Sequence, residues 1–404
     1  MAYATRYMNE QYRGLSYGTA ASLAAAPGAY SALFAEAIEV AVKQNPLQPM
    51  TQRSQAARGK DAAIMGADQG ELSCKLQLRG GKTAAAARGT SPIVTLAQYM
   101  GFSLSQLAGG ADKVTGGSAS TLECADGDDP GWAIGDFVLV NADEDGTPDL
   151  QMRCISRIQS SEGTTTITVF PDFSTNPANG DTFYAVDVLK PSPGKMTTYH
   201  GLKAYRGAGA TDRHMLELLG CAGSMLIEEI AAGEIPYVTM KWLVDNFAAS
   251  EDNRVEAQDD FAKASPLLSD SFYLDSQDIP LASFSFNPGL EPKPIVGSSG
   301  AQGRINWHHS DPDPELVIKT LHDNQHWTDL AAETERTAFI SSVLDNMQAW
   351  AIGVPAVQII EAGYGDYPEE MTGAALKLKI NNPGQNTDDT DYPLFSMGFS
   401  GAAT

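Results

Sequence analysis

Cysteine is scarce in this 404-residue sequence, and its spacing excludes the common cysteine-based sites. Cys74, Cys124, Cys154 and Cys221 are widely separated, and no two of them form a Cys-x-x-Cys pair. A zinc ribbon or a dithiol redox motif is therefore not expected. Cys74 and Cys221 fall in apolar patterns and are predicted to be small core residues. This cysteine usage suits synthesis in a reducing cytoplasm.

Long apolar runs are also missing. No window approaches the roughly 18 uninterrupted apolar residues of a membrane-spanning helix, and the first ten residues hold no apolar core of signal-peptide length. The sequence therefore predicts neither a membrane span nor a cleaved secretory signal, and no membrane partner is expected.

Positive charge is in short supply. The chain has 27 Lys and Arg against 50 Asp and Glu, which gives a formal net charge of −23, while 43% of its residues are apolar. The apolar content predicts a globular chain rather than a disordered one. An acidic surface repels nucleic acid and anionic membranes. Simple solubility explains the charge, and so does a wall along which DNA slides without binding.

Complete cofactor-binding motifs are absent as well. The glycine-rich segments 206–210 and 297–303 lack the Lys followed by Ser or Thr with which a phosphate loop ends. No cofactor is predicted, and the protein is not expected to be an enzyme.

Histidines provide one candidate metal site. They are His308, His309, His322 and His326. If residues 322–326 were helical, His322 and His326 would share one face at ligand spacing. No Glu follows His322, so the zinc-protease pattern fails. We expect these histidines to be polar residues in and around exposed loops that hold no metal, with a β-rich metal-dependent hydrolase as the alternative.

Period-two alternation is the main structural signal. In residues 71–79 the side chains of Leu72, Cys74 and Leu76 share one face and polar side chains share the other, which predicts a half-buried strand. Ser91 and Pro92 then provide an N-cap and a first-turn proline for a short helix over 91–100. The pattern as a whole predicts a mainly β protein with a flanking short helix.

Composition divides the chain into three parts. Residues 1–33 are rich in Ala, Gly and Ser and are predicted to be an N-terminal arm. Residues 34–111 and 193–404 are predicted to form one β domain. Residues 112–192 carry short strands at about ten-residue spacing, which predicts a small inserted all-β domain on the outer surface.

A long hairpin is the most informative segment. Residues 225–230 and 237–244 are two strands joined by a short turn at 231–236. Nothing in this stretch looks catalytic, and it looks like a hairpin that another surface must complete. The sequence therefore favours a self-assembling structural protein.

Four pieces together resemble the tail tube (major tail) proteins of long-tailed bacteriophages. They are the strand 71–79 with its following helix, the hairpin 219–244, the strand 281–287 with its glycine loop and 304–307, and the closing segments 351–355, 375–380 and 392–399. The resemblance covers roughly residues 34–108 and 195–400. The insertion at 112–192 departs from a minimal tube protein.

The resemblance implies a β-sandwich or half-barrel with a flanking helix. Six copies would form a ring, and the rings would stack into a tube. The tube wall would be a continuous β-barrel through which viral DNA passes without specific binding. Its partners would be further copies of itself and other tail proteins, and its location the virion tail after synthesis in the host cytoplasm. Glu228, Glu229 and Glu234 are the candidates for side chains that face the lumen. Another phage tail part or a type VI-like tube component is the rival within this class.

Overall fold

A computed structural model of the chain describes most of the sequence, with gaps. The described residues are 12–33, 35–47, 64–81, 91–110, 113–142, 149–206, 214–251, 272–275, 277–297, 303–321, 323–343, 349–367, 371–382 and 393–400.

The first half of the described chain contains one helix and many strands. In chain order they are β1 (Tyr12–Ala20), β2 (Ser31–Leu33), β3 (Glu36–Leu47), β4 (Ile64–Gln77), α1 (Pro92–Ala97), β5 (Phe102–Leu107), β6 (Val114–Ser118), β7 (Thr121–Ala125), β8 (Phe137–Ala142), β9 (Asp149–Ser161), β10 (Thr164–Phe170), β11 (Thr182–Tyr184), β12 (Val186–Pro191), β13 (Gly194–Lys195) and β14 (Tyr199–Arg206).

The second half continues in the same way. Its elements are β15 (His214–Ala231), β16 (Tyr237–Val244), β17 (Asn246–Glu251), β18 (Phe272–Leu274), β19 (Gln277–Ile279), β20 (Leu281–Asn287), β21 (Pro292–Val296), β22 (Arg304–His309), β23 (Glu315–Leu321), α2 (Asn324–Ala332), β24 (Glu335–Val343), β25 (Ala349–Tyr367), β26 (Met371–Ile380) and β27 (Ser396–Ser400). The prediction of a mainly β fold is confirmed.

Most strands belong to one large antiparallel sheet that curls into a half-barrel. One continuous run of neighbouring strands in it is β3–β4–β16–β15–β20–β23–β26–β25. Successive side chains of these strands alternate between the two faces. On β4, Leu72, Cys74 and Leu76 are buried, whereas Lys75 is 40% exposed. One face of the sheet therefore covers the core and the other is polar.

The strand β15 links two parts of the large sheet. Its first half pairs with β14 and β17, and its second half pairs with β16 and β20. Gly220 stands at the change, with a φ of 60°. A Cβ there would lie 2.6 Å from the carbonyl oxygen of Leu23, so the bend requires glycine both for its conformation and for this close approach.

Helix α1 begins at Pro92, as predicted. The hydroxyl of Ser91 donates to the carbonyl of Arg79 at 2.9 Å rather than capping the helix. Ile93 and Leu96 are fully buried in the main core. The helix therefore packs its apolar face onto the large sheet.

Part of the predicted N-terminal arm lies in the large sheet. Strand β1 pairs along its length with β14, and β2 pairs with β1. Leu15 and Leu33 are buried against the main core. Residues 1–11 lie outside the described residues.

The predicted insertion contains a sheet of its own. Among the described residues, six strands pair in the order β11–β8–β9–β10–β7–β6. The chain enters and leaves at neighbouring points, because the backbone groups of Gly110 and Phe183 exchange hydrogen bonds of 2.8 and 3.2 Å. Strand β12 lies within the range 112–192 but belongs to the large sheet, where it pairs with β5 and β27. Independent folding of the insertion stays a prediction.

The six-stranded sheet packs onto the large sheet through a shared apolar cluster. Phe137 from β8 and Cys154 from β9 meet Phe339 of β24 and the glycines of β25 and β27. Strands β13, β22 and β21 form a separate three-stranded sheet. Trp307 of β22 is buried in an apolar cluster beside Leu243 of β16. No helix in the described part of the chain is long and apolar enough to cross a membrane.

Candidate functional site

An irregularity in β15 places two adjacent glutamates on one face. The pairing of β15 with β20 shifts between Ile227 and Ile230, and both of these isoleucines are buried in the core. An extra residue in a strand changes the alternation of its side chains. Glu228 and Glu229 therefore both reach the polar face, where their side chains are 42% and 54% exposed.

Glu228 is held from the β16 side. The hydroxyl of Thr239 on β16 donates to its Oε1 at 2.8 Å, and Nζ of Lys75 on β4 lies 2.5 Å from its Oε2. The hydrogen bonds from Lys75 and Thr239 lower the pKa of Glu228, so the carboxylate is the favoured form.

Glu229 is held from the β20 side by the same kinds of groups. The hydroxyl of Ser283 on β20 donates to its Oε1 at 2.8 Å, and Nζ of Lys319 on β23 lies 2.5 Å from the same oxygen. The hydrogen bonds from Lys319 and Ser283 lower the pKa of Glu229.

The two halves form one continuous arrangement across five neighbouring strands. We call it the ion-pair row, and its members in strand order are Lys75, Thr239, Glu228, Glu229, Ser283 and Lys319. Each glutamate bonds a hydroxyl on the adjacent strand and an ammonium one strand further away. The row therefore presents two fixed negative charges flanked by two positive ones, rather than a single-sign patch.

A third ion pair lies on the same face beyond the row. Nζ of Lys377 on β26 is 2.9 Å from Oε1 of Glu315 on β23, and Glu361 on β25 is paired in register with Lys377. The hydrogen bond to Glu315 raises the pKa of Lys377. Three lysines on this face are thus in contact with a glutamate.

Glu234 lies close to the row, in the turn between β15 and β16. It is exposed, and its Oε2 accepts a hydrogen bond of 3.4 Å from the backbone N–H of Ala231. A shallow depression of about 470 Å³ is lined by Lys75, Glu228, Glu229, Ile230, Glu234, Ile235 and Tyr237. The structure therefore brings the three predicted glutamates together, and their position at a channel surface stays a prediction.

Sequence reasoning found the glutamates and missed their partners. The position of Lys75 on the polar face could be inferred from the alternation in β4. That Ser283 and Lys319 contact Glu229 could not be inferred, because it depends on β20 lying beside β15 and β23 lying beside β20.

The histidines predicted for exposed loops are placed differently. His309 on β22 is buried, and its Nε2 donates to the carbonyl of Gly223 at 3.0 Å. Burial lowers the pKa of His309. His326 on α2 is also buried, so the prediction of exposed positions in and around loops is wrong for both residues. Their burial follows from the packing of β22 and α2, which the local sequence does not reveal.

The remaining two histidines do not complete a site. His308 is exposed on the side of β22 opposite to His309, and His322 lies outside the described residues. Within the described ranges, no three His, Cys, Asp or Glu side chains are arranged to hold a metal ion.

Comparison with known proteins identified no relative. No model of a known protein family matches the sequence, and a search of curated proteins found no significant match.

Proposed function

We propose that the protein is the structural subunit of a bacteriophage tail tube, in which copies join as rings that stack around a channel for DNA. The observation that supports it most is the open edge of the curled sheet at β3. This strand has 12 residues, and within the described part of the chain its ladder runs against β4 alone.

A long edge strand presents backbone N–H and C=O groups that favour pairing with another chain. Natural proteins protect such an edge or use it. Val40 and Ala41 lie in the middle of β3, and Glu39 beside them is an exposed charge. Pairing of this edge with a neighbouring copy would extend the curled sheet, and repetition around a ring would remove the edge altogether.

The polar face supports the same proposal. A curled sheet in a ring has one face toward the channel, and that face must remain hydrated while the other covers the core. The face that carries the ion-pair row is polar across neighbouring strands, whereas the opposite face holds the main core. Under this proposal the protein performs no chemical reaction.

The hydrolase alternative is not supported by a specific observation. His308 and His309 point to opposite sides of one strand, and His309 is engaged with the carbonyl of Gly223. We therefore do not develop it.

Proline substitution in β3 tests the proposal. Successive N–H groups of a strand point to opposite sides, so either Val40→Pro or Ala41→Pro removes only the N–H on the open side. We expect that variant to keep the melting temperature of the unassembled protein within a few degrees and to lose rings and tubes in negative-stain images. Normal tubes from both folded variants would contradict a role of this edge in assembly.

A further inference from the structure

Three lysines of the polar face each lie close to a carboxylate in the same way. Lys75 and Lys319 each lie 2.5 Å from a glutamate of the ion-pair row, and Lys377 lies 2.9 Å from Glu315. These lysines are 38 to 42% exposed, so their ammonium groups remain close to solvent. A polyanion that touched this face would meet them.

Such a face would hold DNA if the carboxylates were absent. Each lysine that contacts a phosphate releases counterions from the duplex, and several lysines on one surface bind DNA strongly at low salt. A channel through which DNA moves cannot contain such a surface. On this face, Lys75, Lys319 and Lys377 are already paired with carboxylates.

The hydroxyl groups of the row make the pairing specific. Thr239 holds Glu228 and Ser283 holds Glu229, each at 2.8 Å. The carboxylates therefore stay in place when a phosphate approaches, instead of rotating away with the loss of one contact. They would repel that phosphate and compete with it for the ammonium group.

We propose that Glu228, Glu229 and Glu315 act as built-in substitutes for DNA phosphate, which occupy Lys75, Lys319 and Lys377 and keep this face from binding duplex DNA. The biological setting of this inference rests on the proposed tail-tube function. The physical property belongs to the single subunit and can be measured without assembly.

The test is DNA binding by the purified subunit carrying Glu228→Gln, Glu229→Gln and Glu315→Gln. Glutamine keeps the shape of the side chain and removes its charge. We expect binding of a short fluorescent duplex at about 50 mM salt to become at least tenfold tighter than for the wild-type subunit, and to weaken steeply as salt is raised. Fluorescence anisotropy measures both effects.

A matched control separates the pairing from the net charge. Glu123→Gln, Glu162→Gln and Glu333→Gln change the net charge by the same amount at positions away from this face. We expect this control to bind DNA as the wild type does. Adding Lys75→Met and Lys319→Met to the first variant should remove the gained affinity.

The outcomes distinguish this inference from the proposed function. Equal DNA binding by the triple variant and its control would overturn the inference, even if electron microscopy showed tubes. If the triple variant does not fold, Glu228→Gln alone against Glu123→Gln decides by the same comparison, with a smaller expected gain. Failure of the wild type to assemble would instead contradict the tail-tube function and leave the DNA measurement decisive for the face.

Discussion

The indole Nε1–H of Trp242 donates a hydrogen bond of 3.0 Å to Nδ1 of His200 inside the core. Both residues are almost fully buried, at 1% and 0% exposure. Because Nδ1 accepts, the imidazole is neutral and carries its proton on Nε2. Burial, with a smaller contribution from His309, lowers the pKa of His200 to about 3.

This contact predicts an acid-sensitive core. A histidine with a lowered folded-state pKa contributes stability that is fully present above its unfolded pKa of about 6.5 and is lost as the pH falls toward 3. Between those values the loss approaches about 1.4 kcal/mol per pH unit. Denaturant unfolding at several pH values between 7 and 4 gives the free energy of unfolding as a function of pH. That free energy should depend less steeply on pH for His200→Gln than for the wild type, by the equivalent of nearly one bound proton. Equal slopes would show that His200 is not buried in its neutral form.

The contact between the two larger sheets predicts a strong effect of a small substitution. A Cβ added to Gly398 would lie 2.6 Å from ring atoms of Phe137 and from the methyl carbon of Met152. Gly398→Ala should therefore destabilise the protein by about 1 to 3 kcal/mol through overpacking. Gly127→Ala is the control, because a Cβ there meets nothing within 4 Å. A thermal melt in which the two variants behave alike would argue against the packing of these sheets.

The position of β12 predicts which deletion the fold tolerates. Removing residues 112–182 joins points that are already adjacent, since Gly110 and Phe183 are hydrogen-bonded partners, and it retains β12 between β5 and β27. We expect this variant to stay soluble, at reduced stability because Phe339 loses its cover. Removing 112–192 should cost far more, since it also removes β12. Circular dichroism and gel filtration compare the two, and better folding of the longer deletion would refute the assignment of β12 to the large sheet.

An ion-pair cluster should anchor α2. Arg336 bonds Asp329 of α2 at 2.8 Å and Asp275 at 2.7 Å, and the side chain of Asp329 is only 4% exposed. Burial alone would raise the pKa of Asp329, but the hydrogen bonds from Arg336 and Gln325 bring it below its usual value. Arg336→Met leaves that carboxylate buried without its cation, and we expect a loss of about 3 kcal/mol in urea unfolding. Lys377→Met, at an exposed pair, should cost much less than Arg336→Met.

The sequence was most informative where structure is local. The alternation in 71–79 and the Ser91–Pro92 signal predicted β4 and α1, because a half-buried strand and a helix start depend on neighbouring residues only. The burial of His309 depends on β22 packing near Gly223, which is far away in sequence. No local pattern contains that information.

The candidate site, too, could be predicted from the sequence only in part. The hairpin and its acidic residues were visible in the sequence, but strict alternation would place Glu228 and Glu229 on opposite faces. The irregularity between Ile227 and Ile230 puts them on the same face, and it is seen only when β15 is paired with β20. Their lysine partners then follow from strand order.

Assembly of the unmodified protein tests the account most directly. Purified wild-type protein should be imaged by negative-stain electron microscopy over a range of concentrations, with mass measured by light scattering on the same samples. If the protein is a tail-tube subunit, we expect rings with a central channel, and tubes of stacked rings at higher concentration. A compact monomer at every concentration, also in the presence of the other tail proteins, would contradict it.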